Sequence, residues 1–360
     1  NNLMLYSFET ETRVNLTATK DLTISGFAFA NEKNVIWVSS PNMGTYKIWK
    51  LTHDGSTAKT IETLTNDVID YRSVMTLGAE LVVSGMSMNR ATEYYILNPV
   101  SKKKRALTHV NDDHYKTISK SKVESRMIKT TDGKEMLTWV IYPPDFDSTK
   151  KYPTILYCQG GPQSMVSQFY SFRWNFQLMA ANGYIIVAPN RRGLPGFGQA
   201  WNEKISKDWG GQSIQDYLSA IDEVAKEPYV DNARLGAIGA SYGGYSVYYL
   251  AGVHNKRFKT FISHCGLFNL ESWYGSTEEL FFANFDIGGP YWKVPKPKSY
   301  DAFSPHKKVQ NWDTPLMVIH GGKDFRVPET QGMEAYTAAR SMGLKSRFLY
   351  FPEESHWVLS

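Results

Sequence analysis

The sequence predicts an all-β part followed by an α/β part that contains a doubly wound, mostly parallel sheet. Before about residue 115, short segments rich in Val, Ile, Tyr and Thr follow one another between turn residues, without a convincing helix. From about Val123 onwards, apolar strands alternate with segments that have the apolar spacing of helices. This change in the sequence pattern places the boundary between the two parts near residue 115.

A weak internal repeat predicts the architecture of residues 1–115. An aromatic and aliphatic strand, a polar turn and a strand that closes on Leu-Thr recur from Leu3, from Tyr46 and from Glu93. This spacing of roughly 43 to 48 residues falls in the range of four-stranded propeller blades. We therefore expect part of an all-β propeller with two to three blades. Because propellers usually close with about four to eight blades, we expect further blades upstream.

Residues 116–360 follow the element order of an α/β-hydrolase. A hairpin with an Asp-Gly turn leads into this part at residues 127–144. Helical spacing of apolar residues follows at residues 213–227 and 329–343. Alternation of this kind predicts a mostly parallel sheet with helices on both faces. The apolar strands are expected within residues 154–161, 183–193, 235–241, 258–266, 315–324 and 346–356.

The segment Gly-Ala-Ser-Tyr-Gly around Ser241 predicts a nucleophile elbow. The pentapeptide alone is weak evidence, but here it follows an apolar strand and precedes a helix, the setting in which such an elbow works. Gly239 and Gly243 leave space where a side chain would collide with the neighbouring strand or helix. The following helix N-terminus favours developing negative charge.

A serine nucleophile needs a base and an acid, which follow here in the order Ser, Asp, His. Asp324 follows the strand in residues 315–324, and His356 follows the last strand. The alternative interpretations are a turn-capping aspartate and a surface histidine. His264 and His320 are competing histidines, and His320 is expected to pack beneath the site. Ser241, Asp324 and His356 together predict acyl-transfer chemistry.

Acyl transfer also needs two donors for the oxyanion of the tetrahedral intermediate. One is expected to be the N–H of Tyr242, next to the nucleophile. We assign the second to the N–H of Gly161, in the glycine-containing loop that follows the strand within residues 154–161. An ordinary glycine turn is the alternative interpretation of that loop.

Composition and charge exclude several function classes. The net charge of +5 is small for 360 residues and is not concentrated in a basic arm, which disfavours nucleic acid as a partner. No apolar run is long enough for a membrane span, so no membrane insertion is expected. Cys158 and Cys265 are expected to be buried thiols. Neither a phosphate-binding loop nor zinc-ligand spacing occurs, so we expect no cofactor and no metal.

The motifs "GASYGGY", "GGP", "GGKDFRVP" and "ESHWV", behind a partial propeller, resemble the prolyl oligopeptidase family of serine peptidases. Within it, the acylaminoacyl-peptidase-like branch and the bacterial dipeptidyl-peptidase 5 group are most similar. Family members often have His where this chain has Gln159, which leaves the backbone donor unaffected. They also finish with a helix after the catalytic histidine, whereas this sequence stops four residues past His356, so the last helix is expected to be absent.

The resemblance implies a serine exopeptidase that releases dipeptides through an acyl-enzyme. An acylaminoacyl peptidase or esterase with the same triad, and an inactive binding protein, stay open. The resemblance implies peptides as partners and a periplasmic or secreted location. Whether the protein forms a homodimer stays open. Arg326 is expected to bind the substrate carbonyl one residue before the cleaved position, and the alternative is a surface arginine that pairs with a nearby carboxylate. Four aromatic residues are expected to line an apolar substrate pocket, namely Trp273, Tyr274, Phe281 and Phe282. The alternative is that they only pack in the core.

Overall fold

The computed structural model describes residues 1–359, which form two compact units. The first unit contains residues 1–120, 165–177 and 195–202, and the second contains the rest. Two short helices, α2 (Phe176–Ala181) and α3 (Gln199–Glu203), lie where the chain passes from one unit to the other. Within residues 1–359, no helix has the length and apolar character needed to cross a bilayer.

The first unit consists almost entirely of antiparallel strands. β1 and β2 form a hairpin, and two four-stranded sheets have the sequential orders β3-β4-β5-β6 and β7-β8-β9-β10. One short helix, α1 (Asp112–Lys116), follows them. The strands are β1 (Met4–Ser7), β2 (Thr12–Asn15), β3 (Gly26–Phe29), β4 (Val35–Asn42), β5 (Thr45–His53), β6 (Ala58–Thr63), β7 (Asp70–Leu77), β8 (Glu80–Ser87), β9 (Arg90–Leu97) and β10 (Lys104–Ala106).

Strand β4 is buried on both of its faces, which explains its continuous apolar sequence. Because successive side chains of a strand point to opposite faces, Val35 and Trp37 enter one apolar cluster with residues of β7, β8 and β9. Ile36 and Val38 enter another cluster, which includes Leu3 and residues next to the β1–β2 hairpin. The core of the first unit therefore lies on either side of β4.

The second unit is built on an eight-stranded mixed sheet with the order β11-β12-β14-β13-β15-β16-β17-β18. The β11–β12 and β12–β14 pairs are antiparallel and the remaining pairs are parallel. These strands are β11 (Val123–Lys129), β12 (Glu135–Ile141), β13 (Tyr152–Cys158), β14 (Ile185–Pro189), β15 (Val230–Ala240), β16 (Thr260–His264), β17 (Leu316–Gly321) and β18 (Ser346–Phe351). The helices are α4 (Gln212–Val224), α5 (Tyr242–Ala251), α6 (Leu270–Tyr274), α7 (Leu280–Asp286), α8 (Ser299–Ala302) and α9 (Thr330–Ser341), with a 3-10 helix at Pro305–Asn311.

Every strand expected from the apolar runs of the α/β part is present, and both expected helices occur as α4 and α9. The two faces of the sheet differ in burial. Leu156, Ala237 and Phe261 point to a fully buried face, whereas Ile155 and Ile238 point to the opposite, half-buried face. That second face borders a groove of about 310 Å³. Among residues 1–359, helices therefore cover one face of these strands more completely than the other.

Candidate active site

Ser241 lies in a tight turn between β15 and α5. Its φ of +59° and ψ of −123° are values that residues other than glycine rarely adopt. The N–H of Ser241 donates to the carbonyl of His264 at 3.0 Å, and the carbonyl of Ser241 accepts from the N–H of Tyr245 at 2.9 Å. The surrounding backbone thus holds a strained residue in place, an arrangement typical of functional sites.

The glycines on either side of Ser241 are required by close backbone contacts. A Cβ atom added to Gly239 would lie 2.6 Å from the backbone of Gly243 and 2.7 Å from the carbonyl oxygen of Cys158. A Cβ on Gly243 would collide with that same oxygen. The prediction that side chains at both positions would clash is confirmed. The elbow therefore depends on Gly239 and Gly243 sterically.

Asp324 and His356 form a buried acid–histidine pair. The Nδ1 atom of His356 lies 2.7 Å from Oδ2 of Asp324, and the two residues are only 5% and 3% exposed. The other oxygen of Asp324 accepts the N–H groups of Arg326 and Val327 at 3.1 and 2.8 Å. Since these bonds fix the carboxylate, Asp324 presents a defined acceptor to Nδ1 and directs Nε2 of His356 away from itself.

His320 packs beneath this pair and is fully buried. Its Nε2 atom lies 2.7 Å from the carbonyl oxygen of Val327 and 3.6 Å from Oδ2 of Asp324. Burial lowers the pKa of His320, so its ring is neutral. The Nε2–H group of this ring donates a hydrogen bond to the carbonyl of Val327. His320 therefore supports the loop that carries Asp324.

Cys265 joins the site although sequence reasoning assigned it no functional place. Its Sγ lies 4.0 Å from Nε2 of His356, and it directly follows His264, which binds the Ser241 N–H. The two strand ends at Ser241 and Cys265 thus meet at one sheet edge. Within residues 1–359, one group of side chains could hold a metal ion. Its members are Cys265, Asp324 and His356, whose donor atoms all lie within 4.8 Å of one another. In the sequence, the position of Cys265 directly after β16, at the carboxyl edge of the sheet, was the evidence that it lies near the site.

The loop after β13 runs against the elbow. A Cβ on Gly160 would lie 2.6 Å from the carbonyl oxygen of Ala240 and 3.6 Å from Cβ of Ser241, so glycine permits this approach. Gly161 has a φ of +51°, and its carbonyl accepts from the Ser164 N–H at 3.1 Å. The two predicted oxyanion donors, the N–H groups of Gly161 and Tyr242, therefore belong to the two segments that flank Ser241.

The side chain of Tyr242 is locked in the core. Its hydroxyl donates to the carbonyl of Trp209 at 2.8 Å and lies 3.0 Å from the Ser213 hydroxyl. Burial raises the pKa of Tyr242, which keeps the phenol neutral. Tyr242 can therefore contribute to the site through its backbone while its ring anchors the start of α5.

The structure separates the four aromatic residues predicted to form a substrate pocket. Trp273 and Phe282 pack with Trp209, at ring-centroid distances of 5.9 and 6.0 Å from it. Tyr274 is buried, and its hydroxyl donates to Asn284 at 2.7 Å. Phe281 is 91% exposed, because on the short helix α7 it faces away from this cluster. Phe281 therefore lines no enclosed pocket within the described residues.

Arg326 pairs with two carboxylates. Its Nε lies 2.9 Å from Glu279, its Nη2 lies 3.8 Å from Glu278, and its guanidinium lies 5.6 Å from the ring of Trp357. Its carbonyl accepts from the indole N–H of Trp273 at 2.9 Å. The loop after Asp324 is thus tied to the aromatic segment, and the half-exposed Arg326 side chain is held by acids.

Comparison with known proteins places these features in context. A family model described as "Prolyl oligopeptidase family" matches residues 170–360. The chain is 48% identical over 360 residues to dipeptidyl-peptidase 5 of Porphyromonas gingivalis, covering 99% of this chain and 52% of that protein. The chain thus spans about half the length of the curated relatives it matches.

Solved structures show the same fold at low sequence identity. An acylaminoacyl peptidase in complex with Z-Gly-Gly-Phe-chloromethyl ketone has a TM-score of 0.87 at 23% identity, over 99% of this chain and 55% of that one. Dipeptidyl peptidase 4 of Porphyromonas gingivalis has a TM-score of 0.82 at 19% identity, over 100% of this chain and 50% of that one.

Proposed function

Because the chain belongs to the prolyl oligopeptidase family, we propose that it is the catalytic part of a serine exopeptidase that releases dipeptides from peptide N-termini. The observation that carries the proposal is the strained Ser241 elbow, which meets the hydrogen-bonded pair of Asp324 and His356 through the adjacent residues His264 and Cys265. The dipeptide specificity rests on the 48% identity to a dipeptidyl-peptidase 5.

In this mechanism the Oγ of Ser241 attacks the scissile carbonyl while Nε2 of His356 takes its proton. Asp324 holds the Nδ1 proton and stabilises the imidazolium that forms. The N–H groups of Tyr242 and Gly161 bind the oxyanion. When the C–N bond breaks, His356 gives its proton to the leaving amine. Water then attacks the acyl-enzyme by the same route and restores the Ser241 hydroxyl.

Two reagents test this assignment. A fluorophosphonate is expected to label Ser241 of the intact protein, and absence of labelling would favour an inactive binding protein. Dipeptide anilides with a free amine are expected to be cleaved roughly ten to a hundredfold faster than N-acetylated ones, because a charged hydrogen bond to the amine contributes about 1.5 to 3 kcal/mol. Faster cleavage of the acetylated series would identify an acylaminoacyl peptidase instead.

We also propose that residues 1–115 form part of a β-propeller and that residues 116–360 form the α/β-hydrolase domain. Two consecutive four-stranded antiparallel sheets, each with its strands in sequence order, support this assignment. The similarity to a dipeptidyl-peptidase 5 suggests peptides as partners. A periplasmic or secreted location, as implied by the family resemblance, completes the proposal.

We propose that an apolar pocket for the residue before the cut lies next to the buried aromatic cluster. Trp273 and Phe282 pack against Trp209, whose ring lies 5.1 Å from that of Tyr242, next to the nucleophile. Tyr274 lies in the same segment. We propose that Trp273, Phe282 and Tyr274 shape the wall of this pocket, whereas Phe281, which is 91% exposed, faces away from it.

Arg326→Ala is expected to lower kcat/KM for peptides by roughly ten to a hundredfold, because a charged donor to a substrate carbonyl contributes about 1.5 to 3 kcal/mol. Arg326 lies on the loop that carries Asp324, and Glu279, 2.9 Å from Nε of Arg326, holds its guanidinium in place. A minimal ester that lacks the carbonyl should be hydrolysed at the wild-type rate. Steady-state kinetics with both substrates measure the difference.

Arg347→Ala, at an exposed position of β18, is the matched control and should leave both rates unchanged. Equal losses for peptide and ester in the Arg326 variant, or no loss for either, would show that Arg326 only maintains the loop.

A further inference from the structure

Arg191 is a fully buried arginine directly behind the oxyanion loop, which we define as residues 159–164. It follows β14, and its guanidinium donates hydrogen bonds to carbonyls of that loop. Nη1 lies 2.8 Å from the carbonyl oxygen of Pro162, and Nη2 lies 3.3 Å from that of Gln159. The guanidinium thus binds the peptide units on both sides of Gly160 and Gly161.

The same guanidinium contacts the elbow. Its carbon lies 4.4 Å from the ring centroid of Tyr242, the residue after the nucleophile. Its Nε donates to the hydroxyl of Tyr217 at 3.1 Å. Burial raises the pKa of Tyr217 as it does that of Tyr242, so both phenols face the cation as neutral rings. One side chain therefore bridges the two segments that carry the predicted oxyanion donors.

The fit around Arg191 is tight. A Cβ on Gly193 would lie 2.8 Å from Nη1 of Arg191 and 2.8 Å from the carbonyl oxygen of Pro162, and Gly193 has a φ of +100°. A buried charge is costly unless its hydrogen-bonding capacity is used. The planar fork of arginine matches several fixed acceptors at once, which a lysine ammonium on a flexible stem does not. These acceptors therefore define both the position and the residue type.

We propose that Arg191 is a positioning residue for the oxyanion hole. By fixing the carbonyls of Gln159 and Pro162, it sets the direction of the Gly161 N–H that lies between them. By packing on Tyr242, it holds the second donor segment at the same time. This inference rests on the proposed function, because the Gly161 N–H matters only if a tetrahedral oxyanion forms at Ser241.

The neighbouring arginine provides a matched control. Arg192 is also buried, and its guanidinium binds carboxylates. Its Nε lies 3.0 Å from Asp216, and its Nη2 lies 2.6 Å from Asp132 and 2.8 Å from the hydroxyl of Thr130. Arg191→Lys and Arg192→Lys therefore make the same chemical change at adjacent buried positions, and the hydrogen bonds to Gln159 and Pro162 described above belong to Arg191.

Arg191→Lys is expected to lower kcat for a dipeptide anilide roughly 10- to 100-fold, with KM within about twofold, since oxyanion donors act mainly in the transition state. Affinity for a dipeptide boronic acid, which forms a tetrahedral adduct with the serine, should fall by the same factor. Affinity for the dipeptide product should not change. Arg192→Lys should lower Tm while kcat per fluorophosphonate-titrated site stays at the wild-type value.

Equal kcat losses in the two lysine variants, or a raised KM with kcat unchanged in Arg191→Lys, would overturn the inference. Should Arg191→Lys fail to fold, Tyr217→Phe removes the hydroxyl that accepts from Nε at 3.1 Å and that also donates to the carbonyl of Gln159 at 3.5 Å. This variant should lower kcat and boronate affinity together by a smaller factor, and wild-type values for both would overturn the inference. Wild-type protein that fluorophosphonate does not label would instead overturn the proposed function, and this inference with it.

Discussion

Ser241→Ala is expected to lower kcat for dipeptide anilides by roughly a millionfold, because the members of a catalytic triad act as a unit and the nucleophile has no substitute. The fold should be preserved, since alanine keeps the Cβ and the turn is held by the backbone bonds to His264 and Tyr245. Initial rates measure the loss of activity, and the mass increment of a fluorophosphonate adduct should disappear from the variant.

Ser219→Ala is a suitable control for this change. Ser219 lies on α4, and its exposed hydroxyl donates to the carbonyl of Gln215 one turn earlier. This variant should keep wild-type activity and labelling. Activity of Ser241→Ala within about tenfold of the wild-type value would refute the nucleophile assignment, because removing the nucleophile of a triad lowers kcat by several orders of magnitude.

The strands of the second unit were predictable because buried parallel strands are continuously apolar. The start of β15 shows the limit of this approach. The strand begins at Val230, five residues before the predicted apolar run, and its first part includes the polar residues Asp231, Asn232 and Arg234, the last two of which are exposed. Val230 pairs with Tyr152 of β13 and Leu235 pairs with Thr154, so residues 231–234 fall within an irregularity of the register. Such pairing comes from the partner strand and leaves no apolar pattern in the sequence.

The short helices α6 and α7 were not predicted. Segments of five and seven residues are too short to show a helical period. The first of them depends on a local cap, in which the side chain of Asn269 accepts the N–H of Glu271 at 3.2 Å. Which face of α7 turns inward depends on tertiary packing, so Phe281 and Phe282 were not distinguishable in the sequence.

The site was predictable where its constraints are local. Strand, turn and helix around Ser241 lie in one segment, and the two flanking glycines have a steric reason that the motif itself expresses. Cys265 and Arg191 entered the site only through contacts with residues distant in sequence, His356 and Gln159. An arginine pair at the end of an apolar strand was visible in the sequence, but its acceptors were not.

Asp324→Asn is the second large expected effect, a loss in kcat of roughly ten-thousandfold. The carboxylate oxygen Oδ2 accepts the Nδ1 proton of His356 at 2.7 Å, which leaves Nε2 unprotonated and ready to act as a base. Asparagine keeps the oxygen that accepts the N–H groups of Arg326 and Val327, so its amide group must face Nδ1. That amide donates a hydrogen bond, stabilises the tautomer protonated at Nε2, and removes the base.

A second aspartate–histidine pair in the same unit provides the matched control. Asp313 lies 3.2 Å from Nε2 of His254. Both residues come after α5 in the chain, so this pair is outside the elbow. Asp313→Asn should leave kcat unchanged, and fluorophosphonate labelling of Ser241 should slow only in Asp324→Asn, with Tm close to wild type. If Asp324→Asn kept more than about a tenth of wild-type kcat, the buried pair of Asp324 and His356 would be structural, because a histidine in the wrong tautomer cannot sustain that rate.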